Sequence, residues 1–319
     1  MEMSPHSPQE SGATAEASAC PVCGGLAAQD VGVYRGASAE LQGRRKSACS
    51  RCGLVFAAPM PTEAEWAQYN ANYFRRAHGA SADSDDARIF RQALAKFRAD
   101  HIVRFLDLHA IAVSTALEIG PGHGELVAAL RQRLPGLRHI ADETDESLIA
   151  PLHAMGVEIR SPRDVAQSGE TVDLVVISHV LEHTIRPVSF LLDAVQPLRD
   201  GGALFVEVPC QDHLYKPEDE PHLLFFDKQA LGHALRSAGF DQVELSYVGE
   251  PHEALRRRNR QNAVAALTQK VIGRVSRYRP GRHPLLTRGE WPVIRPFRAD
   301  RVSEARARWL RAMAIKRSE

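Results

Sequence analysis

The sequence is poor in cysteine and in aromatic residues, with five Cys and 6% Phe, Trp and Tyr among 319 residues. A small secreted domain stapled by disulfides is cysteine-dense, which this chain is not. Four of its cysteines form two close pairs suited to a metal and the fifth has no obvious partner, as expected in a reducing compartment. No apolar run reaches the roughly 18 residues that a membrane span needs. The first residues, MEMSPHSPQESGATAEAS, lack the charged-then-apolar order of a secretory signal. These absences lead us to expect a soluble, cytoplasmic protein. The same opening stretch has no apolar periodicity, so residues 1–18 are expected to be disordered.

Charge is unevenly placed. The formal net charge of +1 hides a basic tail, residues 251–319, with 18 Lys and Arg against 5 Asp and Glu, and an acidic remainder. RRRNR, RVSRYRPGR and RVSEARARWLRAMAIKR, with Tyr278, Trp291 and Trp309, suit RNA phosphates, an acidic membrane surface or a phosphorylated sugar carrier. The last stretch also sets Val302, Ala305, Trp309, Leu310 and Ala312 on one side of a helix. Residues 251–319 are therefore read as a basic, partly helical extension whose cations either meet a partner or are simply solvated.

With 44% hydrophobic residues, the chain can build one sizeable α/β core and a smaller module. Residues 19–60 carry the cysteine pairs on turn-rich sequence. Residues 61–108 read as helical, first MPTEAEWAQYNANYF, in which Tyr73 and Phe74 are placed to pack or to act as a lid. The amphipathic ARIFRQALAKFRADHIVRFLDL follows, with Leu94, Phe97, Ile102, Phe105 and Leu106 at helical spacing. Across residues 109–250 the apolar runs ALEI, LRHIA, VEI, VDLVVIS, ALFVEV and VELSYV alternate with helical stretches. That alternation predicts a doubly wound, mostly parallel sheet covered on both faces.

In such a sheet a nucleotide-like ligand lies against the first strand-to-helix turn. Here that turn is LEIGPGHGELVAAL, where Gly120, Gly122 and Gly124 permit dihedrals and close approach that a Cβ blocks. Glu118, at the strand end, offers an acceptor. Further on, HIADETDES marks the end of the second strand, where Glu143 can accept from both hydroxyls of a ribose, or Asp142 if the strand ends one residue earlier. The order E-x-G-x-G-x-G lacks the third-glycine spacing of a dinucleotide fingerprint, and no Lys-Ser/Thr pair makes it a phosphate loop.

LEIGPGHGEL, ADETDESLIAPLHAMGVEI, VDLVVISHVLEHTIRPVSFLLDAVQPLRDGGALFVEVP and HLLFFDKQALGHALRSAGF, taken in order, resemble the successive motifs of class I S-adenosylmethionine-dependent methyltransferases. The resemblance spans about residues 115–248. It implies a Rossmann-like sheet of seven strands and S-adenosylmethionine as cofactor. Glu118 and the three glycines would form the methionine-side loop, Glu143 would hold the ribose, and Ser178 and His179 would line cofactor or acceptor.

CPVCGG and CSRCGLVF place Cys20, Cys23, Cys49 and Cys52 as two C-x2-C knuckles separated by 25 residues. Four thiolates close a tetrahedral structural zinc site and leave no position open for catalysis, so a zinc-ribbon-like module is expected, with a long hairpin between its knuckles. A redox Cys-x-x-Cys needs only one pair. A zinc module ahead of this fold resembles the sugar C-methyltransferases and the methyltransferases of surface-glycan pathways. In the former a Tyr-x-Glu-His-type stretch follows the fifth strand, and YKPEDEPHLLFFD places His222 at the matching position. Glu220 is one residue too far to reproduce the adjacent Glu-His pair, Tyr215 is displaced and the long C-terminal domain is missing, so carbon is not fixed as the methylated atom. His222 is the first candidate base and His179 the second, each equally compatible with a structural role. His183 reads as structural and Cys210 as a buried thiol. A sugar or glycan intermediate is the expected acceptor. RNA bound by zinc module and tail is the alternative, and a non-catalytic cofactor-binding adaptor a further one.

Overall fold

A computed structural model describes residues 18–77, 85–257 and 302–317 of the chain. Expectations for residues 1–17 and for 258–301, including RVSRYRPGR and Trp291, lie outside the described residues. The main body is an eight-stranded sheet. Its parallel block holds β4 (Thr115–Ile119), β5 (Arg138–Asp142), β6 (Glu158–Ile159), β7 (Val172–Ser178) and β8 (Leu198–Pro209). Beyond β8 lie three antiparallel strands, β10 (Val243–Pro251), β11 (Val302–Ser303) and β12 (Ala307–Ile315), giving the order β11-β10-β12-β8-β7-β4-β5-β6. Helices α3 (Glu125–Arg133), α4 (Glu146–Ala154), α5 (Pro162–Gln167), α6 (Pro187–Ala194) and α7 (Lys228–Ser237) follow strands and cover both faces. The fold is thus mixed α/β and Rossmann-like.

Local chemistry sets these boundaries. VDLVVIS is apolar without alternation because both faces of β7 are covered, and Leu174 to Ile177 are buried throughout. Helix α5 starts at a capping box in which Ser161 and Asp164 exchange side-chain and backbone bonds, with Pro162 in the first turn. Asp145 caps α4 through the Ser147 amide. The amphipathic helix α2 (Asp85–Leu108) buries Ala95, Ala99, Ile102 and Leu106 with Leu126 and Leu130 of α3. Tyr73 and Phe74 fall on α1 (Glu63–Ala77), their side chains outside the described residues.

Two expectations are corrected. ARWLRAMAI is a strand rather than a helix: β12 pairs with β8 from Trp309↔Pro209 to Ile315↔Ala203 and with β10 on its other side. Its apolar spacing fits either state locally. Long-range pairing decides, because β8 and β10 would otherwise each present an unpaired edge. The tail is therefore not a separate extension, and its strand β12 is the seventh strand of the main sheet. The two-residue β11 adds an eighth.

The cysteine knuckles carry a second sheet, order β1-β2-β3-β9, from β1 (Ala27–Val33), β2 (Arg45–Cys49), β3 (Val55–Ala58) and β9 (Leu224–Phe225). The β1-β2 pairing is the expected long hairpin. Its fourth strand is lent by the chain following β8, through Val55↔Phe225 and Phe56↔Leu224.

Asp173 ties the starts of three strands together. Its carboxylate accepts from the Ser114 amide and hydroxyl, each at 2.8 Å, from the Thr115 amide at 3.0 Å and from Arg199 at 2.5 Å. Burial works against the charge, yet these donors hold its carboxyl down at about 2. Since an unfolded Asp titrates near ~3.9, this contribution is complete above that pH and is lost as pH falls through about 2. Asp173→Asn is expected to cost about 2 kcal/mol at neutral pH. The wild-type advantage should shrink between roughly pH 4 and 2, as measured by urea unfolding of both proteins across that range.

Candidate functional site

The glycine turn after β4 is built to approach a ligand. Gly120 has φ +64°, and a Cβ there would meet Val180 Cγ2 at 2.8 Å. Gly122 has φ +58° with nothing within 4 Å of its missing Cβ, so the loop opens there to free space. Gly124 opens α3. Beyond the ends of β4 and β5 lies a cavity of about 540 Å³, lined by Ile119, Asp142, Ser161, Pro162, Arg163 and Phe190 among others. Its lining mixes apolar Ile119, Pro162, Phe190 and Ala194 with polar and charged Asp142, Ser161, Arg163, Gln167, Asp193 and Gln196.

The two candidate acids separate. Strand β5 ends at Asp142, and it is Asp142, not Glu143, that lines the cavity. Burial first, then the neighbouring Glu143 and Asp164 charges, raises its carboxyl above the ordinary range. Glu143 turns onto backbone instead, accepting from the Gly122 amide at 3.1 Å and the Asp145 amide at 2.8 Å. Glu118 is buried and takes up the Nε2 of His139 at 3.1 Å, a partner the motif does not reveal. Ser178, at the end of β7, has a buried hydroxyl without a partner.

A polar cluster lies at the ends of β7 and β8. His179 has φ +58°, a left-handed conformation uncommon for a side chain of this size. Two carboxylates hold it there, Glu207 Oε1 at 3.1 Å from Nε2 and Glu182 Oε1 at 3.3 Å from Nδ1. Burial opposes its charge, but Glu182 and Glu207 raise its pKa above the usual histidine value. With both ring nitrogens facing acids, His179 presents no free lone pair and is poorly suited to be a base.

Glu207, fully buried, also receives Arg98 Nε from α2 at 2.6 Å and Arg311 Nε from β12 at 2.5 Å. These cations hold its carboxyl well below the carboxylate range against burial. The acid interrupting ALFVEV was the sequence signal for this hub. Its two arginines are far away in sequence and carried none.

His222 sits in the loop between β8 and β9. Its Nδ1 meets Asp212 Oδ2 at 2.8 Å, an acid that also receives Lys216 at 2.7 Å. Burial opposes that charge, yet His222 and Lys216 keep the Asp212 carboxyl far below its usual range. The His222 ring stands edge-on to His183, centroids 4.9 Å apart, and the His183 Nε2 lies 3.8 Å from Glu182. The structure therefore joins His179, His183 and His222, which the sequence treated singly, in one cluster with Glu182, which it did not single out. Cys210 stays outside it, its buried thiol pushed up to about 12.

The four knuckle cysteines converge, with Cys20 and Cys52 sulfurs 3.5 Å apart, Cys23 and Cys49 sulfurs 3.4 Å apart, and all four within 4.8 Å of one another. Four sulfurs at about 2.3 Å from one ion would be separated by comparable distances, so the donor set fits a tetrahedral thiolate site. Among the tail's cations, Arg311 is held by Glu207 and Lys316 donates to the Leu198 carbonyl.

Residues 88–245 match the sequence model of a family described as a methyltransferase domain. Over 97 residues the chain is 33% identical to the ubiquinone biosynthesis O-methyltransferase of Parvibaculum lavamentivorans, a match spanning 28% of this chain and 38% of that enzyme. Among solved structures it is similar to a SAM-dependent methyltransferase from Archaeoglobus fulgidus, with 17% identity, 70% of this chain and 94% of that chain covered, and a TM-score of 0.45. It is also similar to the 1,6-didemethyltoxoflavin-N1-methyltransferase of Burkholderia thailandensis, with 15% identity, 87% and 97% covered, and a TM-score of 0.46. No described helix is long and apolar enough to cross a membrane.

Removing the hub's charge should be costly, because two arginines would remain desolvated against a neutral group. Glu207→Gln is expected to lower stability by about 3–5 kcal/mol. Chemical denaturation measures this, and a loss under about 1 kcal/mol would show that the pair is solvated.

Proposed function

We propose that this chain, whose residues 88–245 match a methyltransferase-domain model, is a class I S-adenosylmethionine-dependent methyltransferase that methylates a hydroxyl-bearing small molecule, of the sugar or glycan-intermediate kind. The observation that carries the reading is the open glycine turn at Gly122 beside a cavity bordered by Asp142, with a cluster of three histidines and an acid at the neighbouring strand ends. When bound, S-adenosylmethionine supplies a methyl group on a sulfonium that leaves readily, so the protein's task is alignment and proton removal.

Within this reading, Gly120, Gly122 and Gly124 admit the cofactor close to backbone and Glu118 supports the turn from beneath. Asp142 accepts from the ribose hydroxyls, while Glu143 shapes the loop by holding the Gly122 amide. The unpartnered Ser178 hydroxyl is available to cofactor or acceptor. His222 is the base: Asp212 holds its Nδ1, which leaves Nε2 free to take the acceptor's proton. His179 is a positioning group, locked between Glu182 and Glu207. The curated relative is an O-methyltransferase by name, which supports oxygen as the methylated atom. The polar character of the cluster supports a hydroxylated acceptor.

Cys20, Cys23, Cys49 and Cys52 hold one structural zinc ion in this proposal, and its effect reaches His222. The module's Tyr34 hydroxyl donates to the His222 carbonyl at 3.0 Å, and Arg35 and Lys46 both pair with Asp219 three residues earlier. The zinc module thereby fixes the loop that carries the base.

Label from S-adenosylmethionine is expected in small metabolites or glycans and not in RNA or protein when the purified chain is incubated with separated extract fractions. Gly122→Asp should abolish it. Asp142→Asn should weaken cofactor binding by about 10- to 100-fold in calorimetry, with Glu143→Gln affecting it less. His222→Gln should lower kcat by about 10²- to 10⁴-fold with cofactor affinity unchanged. Label in RNA, or an Asp142→Asn variant that binds like wild type, would contradict the assignment.

A further inference from the structure

We propose that Glu182, His183 and His222 form a binding site for one divalent metal ion, separate from the cysteine site, at the acceptor end of the cleft. Glu182 is almost fully buried, and neither carboxylate oxygen receives a well-aligned hydrogen bond. With the His179 Nδ1 at 3.3 Å as its one near donor besides the His183 ring, this buried carboxylate is under-satisfied, and a bound cation would complete it. The neighbours that would complete it are already oriented.

Each of the two imidazoles has its Nδ1 against an acceptor, His222 on Asp212 Oδ2 at 2.8 Å and His183 on the Pro221 carbonyl at 3.3 Å. With the Nδ1 proton so placed, each Nε2 lone pair is free, which is how outer partners orient metal-ligating histidines. The carboxylate and both rings offer ligand atoms that all lie within 4.8 Å of one another. An ion at about 2.1 Å from each requires the side chains to close by about an ångström. Backbone fixes this convergence from two directions. Glu182 and His183 share the tight turn Leu181–His183 after β7, and the Leu223 amide beside His222 donates to the Glu182 carbonyl at 2.9 Å.

Two imidazoles and one carboxylate form a mixed N/O set that suits zinc, manganese, iron or cobalt better than calcium or magnesium. Three protein ligands leave coordination positions open. One consequence rests on the transferase reading above: an acceptor hydroxyl bound to the ion has a lowered pKa and can release its proton to bulk water as the oxygen–methyl bond forms and the sulfonium carbon–sulfur bond breaks, so His222, held as a ligand, is not needed as the base. The open positions also favour acceptors presenting two adjacent oxygens.

The test is a titration of the full, zinc-loaded chain with cobalt(II), read by visible absorption and by the thermal midpoint. The expected result is one further equivalent with N/O-type absorption and a raised midpoint. Affinity should fall at least tenfold in Glu182→Gln and in His183→Asn. S-adenosylhomocysteine binding and zinc content, retained in both variants, confirm that they fold. No further equivalent, unchanged affinity in both variants, or thiolate-to-cobalt absorption would overturn the site. Because metal is measured and not methyl transfer, failure here leaves the transferase reading intact, and absence of transfer leaves the metal site intact.

Discussion

A single buried carboxylate, Glu207, organises the molecule. It lies near the end of β8 with no solvent to stabilise its charge, so folding must bring cations to it. They come from opposite sides of β8 along the sequence, Arg98 on α2 before it and Arg311 on β12 after it, while His179 approaches from the end of β7. The same group therefore joins the helix that precedes the main sheet, the strand that completes it and the residue at the mouth of the site. His179, in its left-handed conformation, contacts Glu207 and Glu182 together.

A second constraint runs through the loop after β8. That loop lends β9 to the small sheet of the cysteine module and, two residues earlier, carries His222 against Asp212. Module and site consequently share backbone. The Ala57 amide donates to the Leu223 carbonyl at 2.9 Å, and Asp219 and Glu220 accept from residues 35–38 and Lys46. A four-cysteine site with no open coordination position can in this way influence chemistry that it never touches.

Periodicity and motif spacing were enough to read the parallel block, because each strand-helix unit is local and carries its own turn chemistry. The glycine turn, the capping box at Ser161 and the two cysteine knuckles all fall within short windows. The choice between Asp142 and Glu143 was not legible, since it depends on where β5 ends relative to β4 and which carboxylate the loop amides capture. His183, read as structural, joined the same cluster as His222 through a contact that spans 39 residues of chain.

By itself the sequence determined the α/β class, the two cysteine knuckles and the glycine turn after the first parallel strand, all of them consequences of spacing within one or two elements. Only the tertiary structure decided that ARWLRAMAI is a strand, that Glu207 and not a solvent face receives Arg311, and that Glu182, His183 and His222 meet. The physical reason is common to all three. Strand edges, buried charges and unpaired carboxylates are satisfied by whichever partner the fold delivers, and those partners are distant along the chain.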